Sequence, residues 1–296
     1  MSQHRTHHGY VVGVDGSESA HAAVRWAAQE ARLHHVALSI VHVAPAITVV
    51  APTMVWPGGR IPDEVLEIRE NDARRVIADA VAEAVGLNGD LEVSTEVFFG
   101  AAVPTLVDLS KDARMVVVGS RGTTGRHRRL LGSVSTGLIH HAHGPVAVVH
   151  DEVTPAELSG RPVVVGIDGS RASQSALEIA FDEASRRGVD LVAVHAWSDA
   201  DMTTDYGLED GVLRRAAEKT LAECLAGWQE RYPEVSVHRV ISYSSPVAHL
   251  LDRAQSAQLV VVGSHGRGGF AGMLLGSVST AVAQEAVVPV IVVRPR

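Results

Sequence analysis

The chain is 296 residues long, enough for two domains of ordinary size, each with its own buried core. Hydrophobic residues make up 46% and charged residues 20%, which excludes a disordered or low-complexity chain. The 34 Asp and Glu outnumber the 26 Lys and Arg, neither half is basic, and aromatics are only 4%, so a nucleic-acid partner, which needs phosphate-neutralising charge and stacking rings, is disfavoured.

Cys224 is the only cysteine, which excludes an internal disulfide framework and a thiolate zinc site. The first ten residues lead into an apolar strand pattern without the apolar core and cleavage site of a secretory signal, so a cytoplasmic protein is expected. From Leu33 to Gly59 there is no Asp, Glu, Lys or Arg, a span long enough to cross a bilayer. His34, His35 and His42 and the helix-breaking Pro45, Pro52 and Pro57 argue instead for a strand followed by an apolar loop, and no membrane partner is expected.

In chain order, β-branched runs alternate with helical patterns, the mark of an α/β fold with a parallel sheet flanked by helices. Strands are expected near Tyr10–Val14, Ala37–Val43, Leu91–Val97, Met115–Val118 and Pro145–Val149, then near Val163–Ile167, Leu191–Ala196, Val235–Ile241, Leu259–Val262 and Pro289–Val293. Trp26 reads as helix packing. Leu213, Ala216, Ala217, Thr220, Leu221, Cys224, Leu225 and Trp228 follow one helical rhythm, which places Cys224 and Trp228 together on the core face of a long helix, with Cys224 as inert packing.

The chain repeats itself. Val11-Val12-Gly13-Val14-Asp15-Gly16-Ser17 returns as Val164-Val165-Gly166-Ile167-Asp168-Gly169-Ser170, an offset of 153, while the segments at Met115 and Leu130 return at Leu259 and Leu274, an offset of 144. The first copy therefore holds a net insertion, most simply in the Pro-rich segment 44–62. The repeat is far longer than a solenoid unit, so two whole domains are expected, residues 1–151 and 161–296, joined through the acidic, non-periodic stretch between Asp151 and Pro162.

In open parallel sheets ligands bind beyond the carboxyl ends of the strands, where strand order reverses. The first strand of each copy ends on Asp15 or Asp168. After the fourth comes Gly-x2-Gly-x9-Gly-Ser, as Gly119, Gly122, Gly132, Ser133 and as Gly263, Gly266, Gly276, Ser277. Glycines there let backbone approach an anion, and the serine begins a helix whose first N–H groups point outward, which is a phosphate cradle without a lysine. Turns and helix caps would explain the same residues singly, but both copies keep the whole Gly-Ser-Val-Ser-Thr string. Asp15 and Asp168 fit either helix entry or a ribose hydroxyl or phosphate-held metal.

These residues resemble the universal stress proteins, in their tandem two-domain, ATP-binding form, over nearly the whole chain. The resemblance implies two tandem Rossmann-like domains, similar to adenine nucleotide alpha hydrolases, each a five-stranded parallel sheet of order 3-2-1-4-5. It implies ATP, with Mg²⁺, as ligand. Gly13 and Asp15 would then lie at the ribose or metal-phosphate end and the Val43 backbone, after His42, at the adenine edge, with Gly119 and Gly122 near ribose and phosphates and Gly132, Ser133, Val134 and Ser135 on the phosphate tail. Gly166, Asp168, Ala196, Gly263, Gly266, Gly276, Ser277, Val278 and Ser279 occupy the matching places. The resemblance implies that pairing of the apolar last strands makes a pseudo-symmetric dimer within the chain; a further homodimer is expected, and an unidentified protein partner is allowed for.

Gly100 of the first copy faces Ser244-Ser245-Pro246 in the second, and Arg126, His127, Arg128 and Arg129 face a lone Arg267 with Gly268 and Gly269, so the two sites need not be equal. The segment 46–59 suits a lid or an ordinary insert. No Walker P-loop, full dinucleotide fingerprint or nucleophile elbow occurs, and Ser120 lacks the flanking pattern of the last. His140, His141, His143 and His150 are not shared with the second copy and read as a partly exposed helix end, and His4, His7 and His8 as a tail. The expected function is an ATP-dependent regulator in stress adaptation, not a fast enzyme. A slow ATPase or nucleotidyl or phosphoryl transferase, and an assembly module with an unused pocket, are the alternatives.

Overall fold

The computed structural model describes residues 8–46, 63–86, 90–123, 130–152, 155–197, 210–243, 245–266 and 276–295. The first half runs β1 (Tyr10–Val14), α1 (Glu18–Leu33), β2 (Leu38–Ala44), α2 (Asp63–Val85), β3 (Val93–Phe99), α3 (Ala102–Leu109), β4 (Met115–Gly119), α4 (Ser133–His141) and β5 (Val146–Val149). After α5 (Pro155–Leu158), the second runs β6 (Val163–Gly166), α6 (Arg171–Arg187), β7 (Leu191–Trp197), α7 (Asp210–Leu225), α8 (Trp228–Arg231), β8 (Val237–Tyr243), α9 (Pro246–Ala254), β9 (Leu259–Gly263), α10 (Ser277–Glu285) and β10 (Val290–Val293).

The strands form one ten-stranded sheet in the order β3-β2-β1-β4-β5-β10-β9-β6-β7-β8. Each half is parallel, and the halves meet where β5 and β10 pair antiparallel, with Val148 opposite Val290 and Val146 opposite Val292. That junction covers the two apolar edges, which unpaired would template aggregation.

Side chains alternate across the sheet, so Tyr10, Val12 and Val14 join the core under α1, α2, α6 and α7, while Val11, Val116 and Val118 join the core under α3, α4, α9 and α10. Both cores run across the junction. Strand runs buried on both faces explain why the sequence reads as continuous Val and Ile. Trp26 is buried in the α1 core, as expected.

Local chemistry sets the helix entries. Ser17 and Ser170 cap α1 and α6 by accepting from Ala20 N and Ser173 N, both at 3.2 Å. Ser245 caps α9 with Pro246 in the first turn. Gly188, at φ 63°, ends α6 in the left-handed conformation that an L side chain resists.

Several sequence expectations are corrected. The helical rhythm from Leu213 to Trp228 is not one helix: α7 stops at Leu225, Gly227 turns at φ 82°, and Trp228 begins the separate α8. Ala217, Leu221 and Leu225 are buried, Cys224 is half-buried against the core and Ala216 is exposed, so the seam is narrower than the pattern implied. Trp228 instead stacks on Phe181 and Tyr232 at centroid distances of 5.5 and 6.2 Å. The third strand of each half starts two residues later than expected, because Leu91 and Val235 pack on the core ahead of the ladder. The join contains the short helix α5. Segment 47–62, Arg126 to Arg129, Arg267 to Gly269, His4, His7 and Ser244 lie outside the described residues.

Candidate functional site: paired clefts at the strand carboxyl ends

In each half the first strand has its onward neighbours on opposite sides, β2 and β4 flanking β1, and β7 and β9 flanking β6. The loops leaving β1 and β4 therefore part in opposite directions and open a cleft. In the first half that cleft is a cavity of about 180 Å³ walled by the ends of β1, β2 and β4 and by the start of α4. Gly13, Asp15, Val43, Gly119, Gly122, Gly132, Ser133, Val134 and Ser135 all face it.

Asp15 follows β1 on the turn made by Gly16 at φ 81°. Its carboxylate Oδ1 accepts from Ser17 N at 3.0 Å and its Oδ2 from Thr123 N at 3.1 Å, which ties the β1 turn to the loop after β4. A Cβ on Gly122 would lie 2.7 Å from Asp15 Oδ2, so the glycine leaves room for that carboxylate in its present position. The second half repeats this: Asp168 Oδ1 accepts from Ser170 N at 2.9 Å, and a Cβ on Gly266 would lie 2.6 Å from Asp168 Oδ2.

Gly119 and Gly263 answer to a different constraint. A Cβ on Gly119 would sit 2.6 Å from the Ser19 backbone, and one on Gly263 2.7 Å from Ala172 C, so both let β4 or β9 press on the first turn of α1 or α6. Gly13 and Gly166 admit the side chains of Leu106 and Leu250 in the same way, at 3.0 and 3.3 Å.

The loop after β4 returns to the strand end through Gly132 N, which donates to Ser120 O at 2.8 Å, and Gly276 N donates to Ser264 O at 2.7 Å. Both glycines are N-caps without a side-chain capping bond, so the first N–H groups of α4 and α10 are left for another acceptor. The hydroxyls of Ser135 and Ser279 are turned inward and buried. Ser135 Oγ donates to Gly119 O at 2.7 Å and Ser279 Oγ approaches Ser264 O at 3.1 Å, so these residues offer the cleft only their backbone N–H. Ser133 and Ser277 sit at the first position of their helices, and Val134 and Val278 pack on the core behind them.

Some contributions were not evident in the sequence. The His42 ring donates from Nδ1 to Val14 O at 2.8 Å, and the buried His195 ring donates to Ile167 O at 2.6 Å, fixing the second strand of each half to the end of the first. Their offset of 153 was the available signal. Val43 and Ala196 follow them, opposite Phe98 and Ser242. Arg121 O accepts from Ser19 Oγ at 2.5 Å, while the Arg121 guanidinium pairs with Asp151 and Glu152, so its charge is balanced at the cleft mouth.

Among the described residues, His140, His141, His143 and His150 are not gathered into one ligand set. His140 and His141 end α4 with ring centroids 6.1 Å apart, and Arg294 donates to the carbonyls of Ile139 and His140 beside them. His150 departs from the expected exposed helix end: it is buried after β5, and burial holds its imidazole below the usual range. Ser120 is buried with no hydrogen-bond partner for its Oγ, and no imidazole is bonded to it among the described residues. No helix of the described residues is long and apolar enough to cross a membrane.

The model of the universal stress protein family matches residues 10–150 and again 160–294. A universal stress protein of Mycolicibacterium smegmatis is 52% identical over 300 aligned residues, covering 100% of both chains. One from Mycobacterium tuberculosis is 50% identical over 300, covering 99% of each. Among solved structures, a universal stress protein from Archaeoglobus fulgidus superposes with a TM-score of 0.70 at 24% identity, covering 99% of this chain and 100% of that one. The duplicated sequence, the duplicated fold and the two family matches agree, and the chain belongs to the universal stress protein family.

Proposed function

We propose that the chain binds ATP with Mg²⁺ in both clefts and acts as a nucleotide-dependent regulator in stress adaptation, in the cytoplasm, rather than as a turnover enzyme. The observation that carries this reading is the uncapped start of α4 facing the cleft together with Gly122 and Asp15. N–H groups with no side-chain acceptor at a helix N-terminus suit a phosphate chain. Asp15 and Asp168 supply a carboxylate for a ribose hydroxyl or for a metal held by the phosphates, and the end of β2 offers backbone groups to a base edge. Asp15 accepts two backbone N–H bonds, which suits it to a positioning role. A bound nucleotide regulates through different affinities for two states of the protein, of its self-association, or of a partner complex.

Isothermal titration of nucleotide-free protein with ATP and Mg²⁺ tests the reading. Saturable binding at up to two sites per chain is expected, with loss in Gly122→Asp plus Gly266→Asp, because a carboxylate is then built against Asp15 and Asp168. Absence of binding in folded, nucleotide-free protein would refute it, and multiple rapid turnovers would refute the regulatory part.

A further inference from the structure

A second polar centre lies at the junction of the two halves, at the opposite ends of α1 and α6 from the clefts. The last turns of α1 and α6 bring together Glu30, His34, Glu183 and Arg187, and the side chains of Glu30, His34 and Glu183 are each only 1–2% exposed. The repeat makes the arrangement legible. Glu30 and Glu183 are counterparts at the 153 offset, and so are His34 and Arg187. Each half thus supplies a glutamate and, four residues on, a nitrogen donor to the glutamate of the other half: His34 Nε2 lies 2.9 Å from Glu183 Oε1, and Arg187 bonds Glu30 Oε1. With arginine at both positions the two carboxylates would be balanced by two permanent charges. The first half has histidine instead, so one guanidinium serves two buried carboxylates.

The geometry of that deficit is specific. Arg187 holds Glu30 by Oε1 and Glu183 by Oε2, the latter at 3.0 Å, leaving Glu30 Oε2 and Glu183 Oε1 toward the imidazole. His34 Nε2 is 3.9 Å from Glu30 Oε2, and one donor atom from each of the three residues lies within 4.8 Å of the others. Glu30 Oε2 is fully buried and has no hydrogen-bond partner. A buried, unbonded carboxylate oxygen close to a second carboxylate is costly unless a proton or a metal cation joins them. Tyr10, whose hydroxyl is also buried without a partner, stands beside the His34 ring at a centroid distance of 5.8 Å. A cavity of about 370 Å³, lined by Tyr10, Arg114, Asp182 and Glu183, gives an approach from outside.

We propose that Glu30, His34 and Glu183 form an interdomain site for a first-row divalent metal ion of the Zn²⁺ type, which clamps the ends of α1 and α6 together. Two carboxylates and one imidazole are a donor set of that class, and Arg187 supplies outer hydrogen bonds through the carboxylate oxygens not offered to the metal. In the structure Arg114 donates to His34 Nδ1 at 3.1 Å; Asp182 Oδ2, 3.6 Å from Nδ1, is the carboxylate that would accept from Nδ1 in the tautomer that frees Nε2. The site stands independently of the nucleotide reading.

The test is titration of the full untagged chain with Co²⁺ and with Zn²⁺ at pH 7.5. One Co²⁺ per chain with visible d–d absorption, displaced by Zn²⁺, and a Zn²⁺-dependent rise in Tm are expected. Outer partners alone alter metal affinity 10- to 100-fold, so loss of one ligand in His34→Asn or Glu30→Gln weakens binding by about 100-fold. Glu30→Gln keeps the shape of the neutral carboxyl, so the variant remains folded by circular dichroism while lacking the ligand. Substitution of His4, His7 and His8 by alanine leaves the absorption unchanged. No stoichiometric binding, or binding equally strong in Glu30→Gln and His34→Asn, would overturn the proposal and leave the cluster as a proton-holding ion pair only.

Discussion

Two alanine substitutions three residues apart separate what the glycine loop does for the fold from what it does for a ligand. At Gly119 the added Cβ would stand 2.6 Å from the Ser19 backbone, about 1 Å inside ordinary contact distance, and no rotamer relieves a clash with backbone. β4 and the first turn of α1 must separate, a form of overpacking that costs about 1–3 kcal/mol. At Gly122 the added Cβ meets the Asp15 Oδ2 tip at 2.7 Å. That carboxylate is exposed and can swing away, giving up its bond from Thr123 N, so stability falls by only about 1 kcal/mol or less. The ligand reads the change differently. If Asp15 contributes one charge-assisted contact to bound nucleotide, its displacement weakens affinity by about tenfold. Urea melts and ATP titrations on Gly119→Ala and Gly122→Ala give both quantities, and Gly100→Ala, where no atom lies within 4 Å of the added Cβ, serves as the neutral control. Equal destabilisation by the two variants, or wild-type ATP affinity in Gly122→Ala, would refute the reasoning.

Stability is expected to depend on pH through Glu30. Burial and Glu183 raise its carboxyl to about 8, above its unfolded value, so its contribution is complete below about pH 4.5 and is lost as pH rises through 8, at up to about 1.4 kcal/mol per pH unit. Glu183 moves the opposite way: the His34 hydrogen bond and Arg187 outweigh its burial and lower it, so it adds stability above its unfolded value that is lost in acid. Urea melts of metal-free protein from pH 5 to 9 should therefore slope downward in the wild type and flatten in Glu30→Gln; an unchanged slope sinks the assignment. Ser135→Ala removes a buried donor to Gly119 O and should cost about 1–2 kcal/mol, measured by chemical denaturation, and a neutral result would mean that water replaces the hydroxyl. His42→Ala, which removes the tie to Val14 O, should cost about 1 kcal/mol and weaken ATP binding more than it lowers Tm, with a pure stability effect counting against a role at the cleft.

The tandem organisation, the alternation of strand and helix, and the placing of Asp15, Gly119, Gly122 and Gly132 near one another were legible in the chain because they depend on local periodicity and on a repeat that serves as its own alignment. The inward turn of Ser135 was not, since a helix-start serine has the same sequence signature whether its hydroxyl faces a ligand or a carbonyl sixteen residues back. Nor was the break before Trp228: the helical rhythm runs through Gly227, and only the mutual packing of Trp228, Phe181 and Tyr232 rewards the turn.

The sequence by itself determined two copies of one α/β unit and the glycine spacing after each fourth strand, because strand burial and turn conformation act over a few residues. The tertiary structure alone decided that β5 and β10 join antiparallel, and that Glu30 of one helix meets Glu183 of its counterpart. Periodicity names the apolar faces but not which edges of the sheet meet. The exchange of His34 for arginine carries no meaning until the approximate twofold relation of the halves sets it beside Glu183.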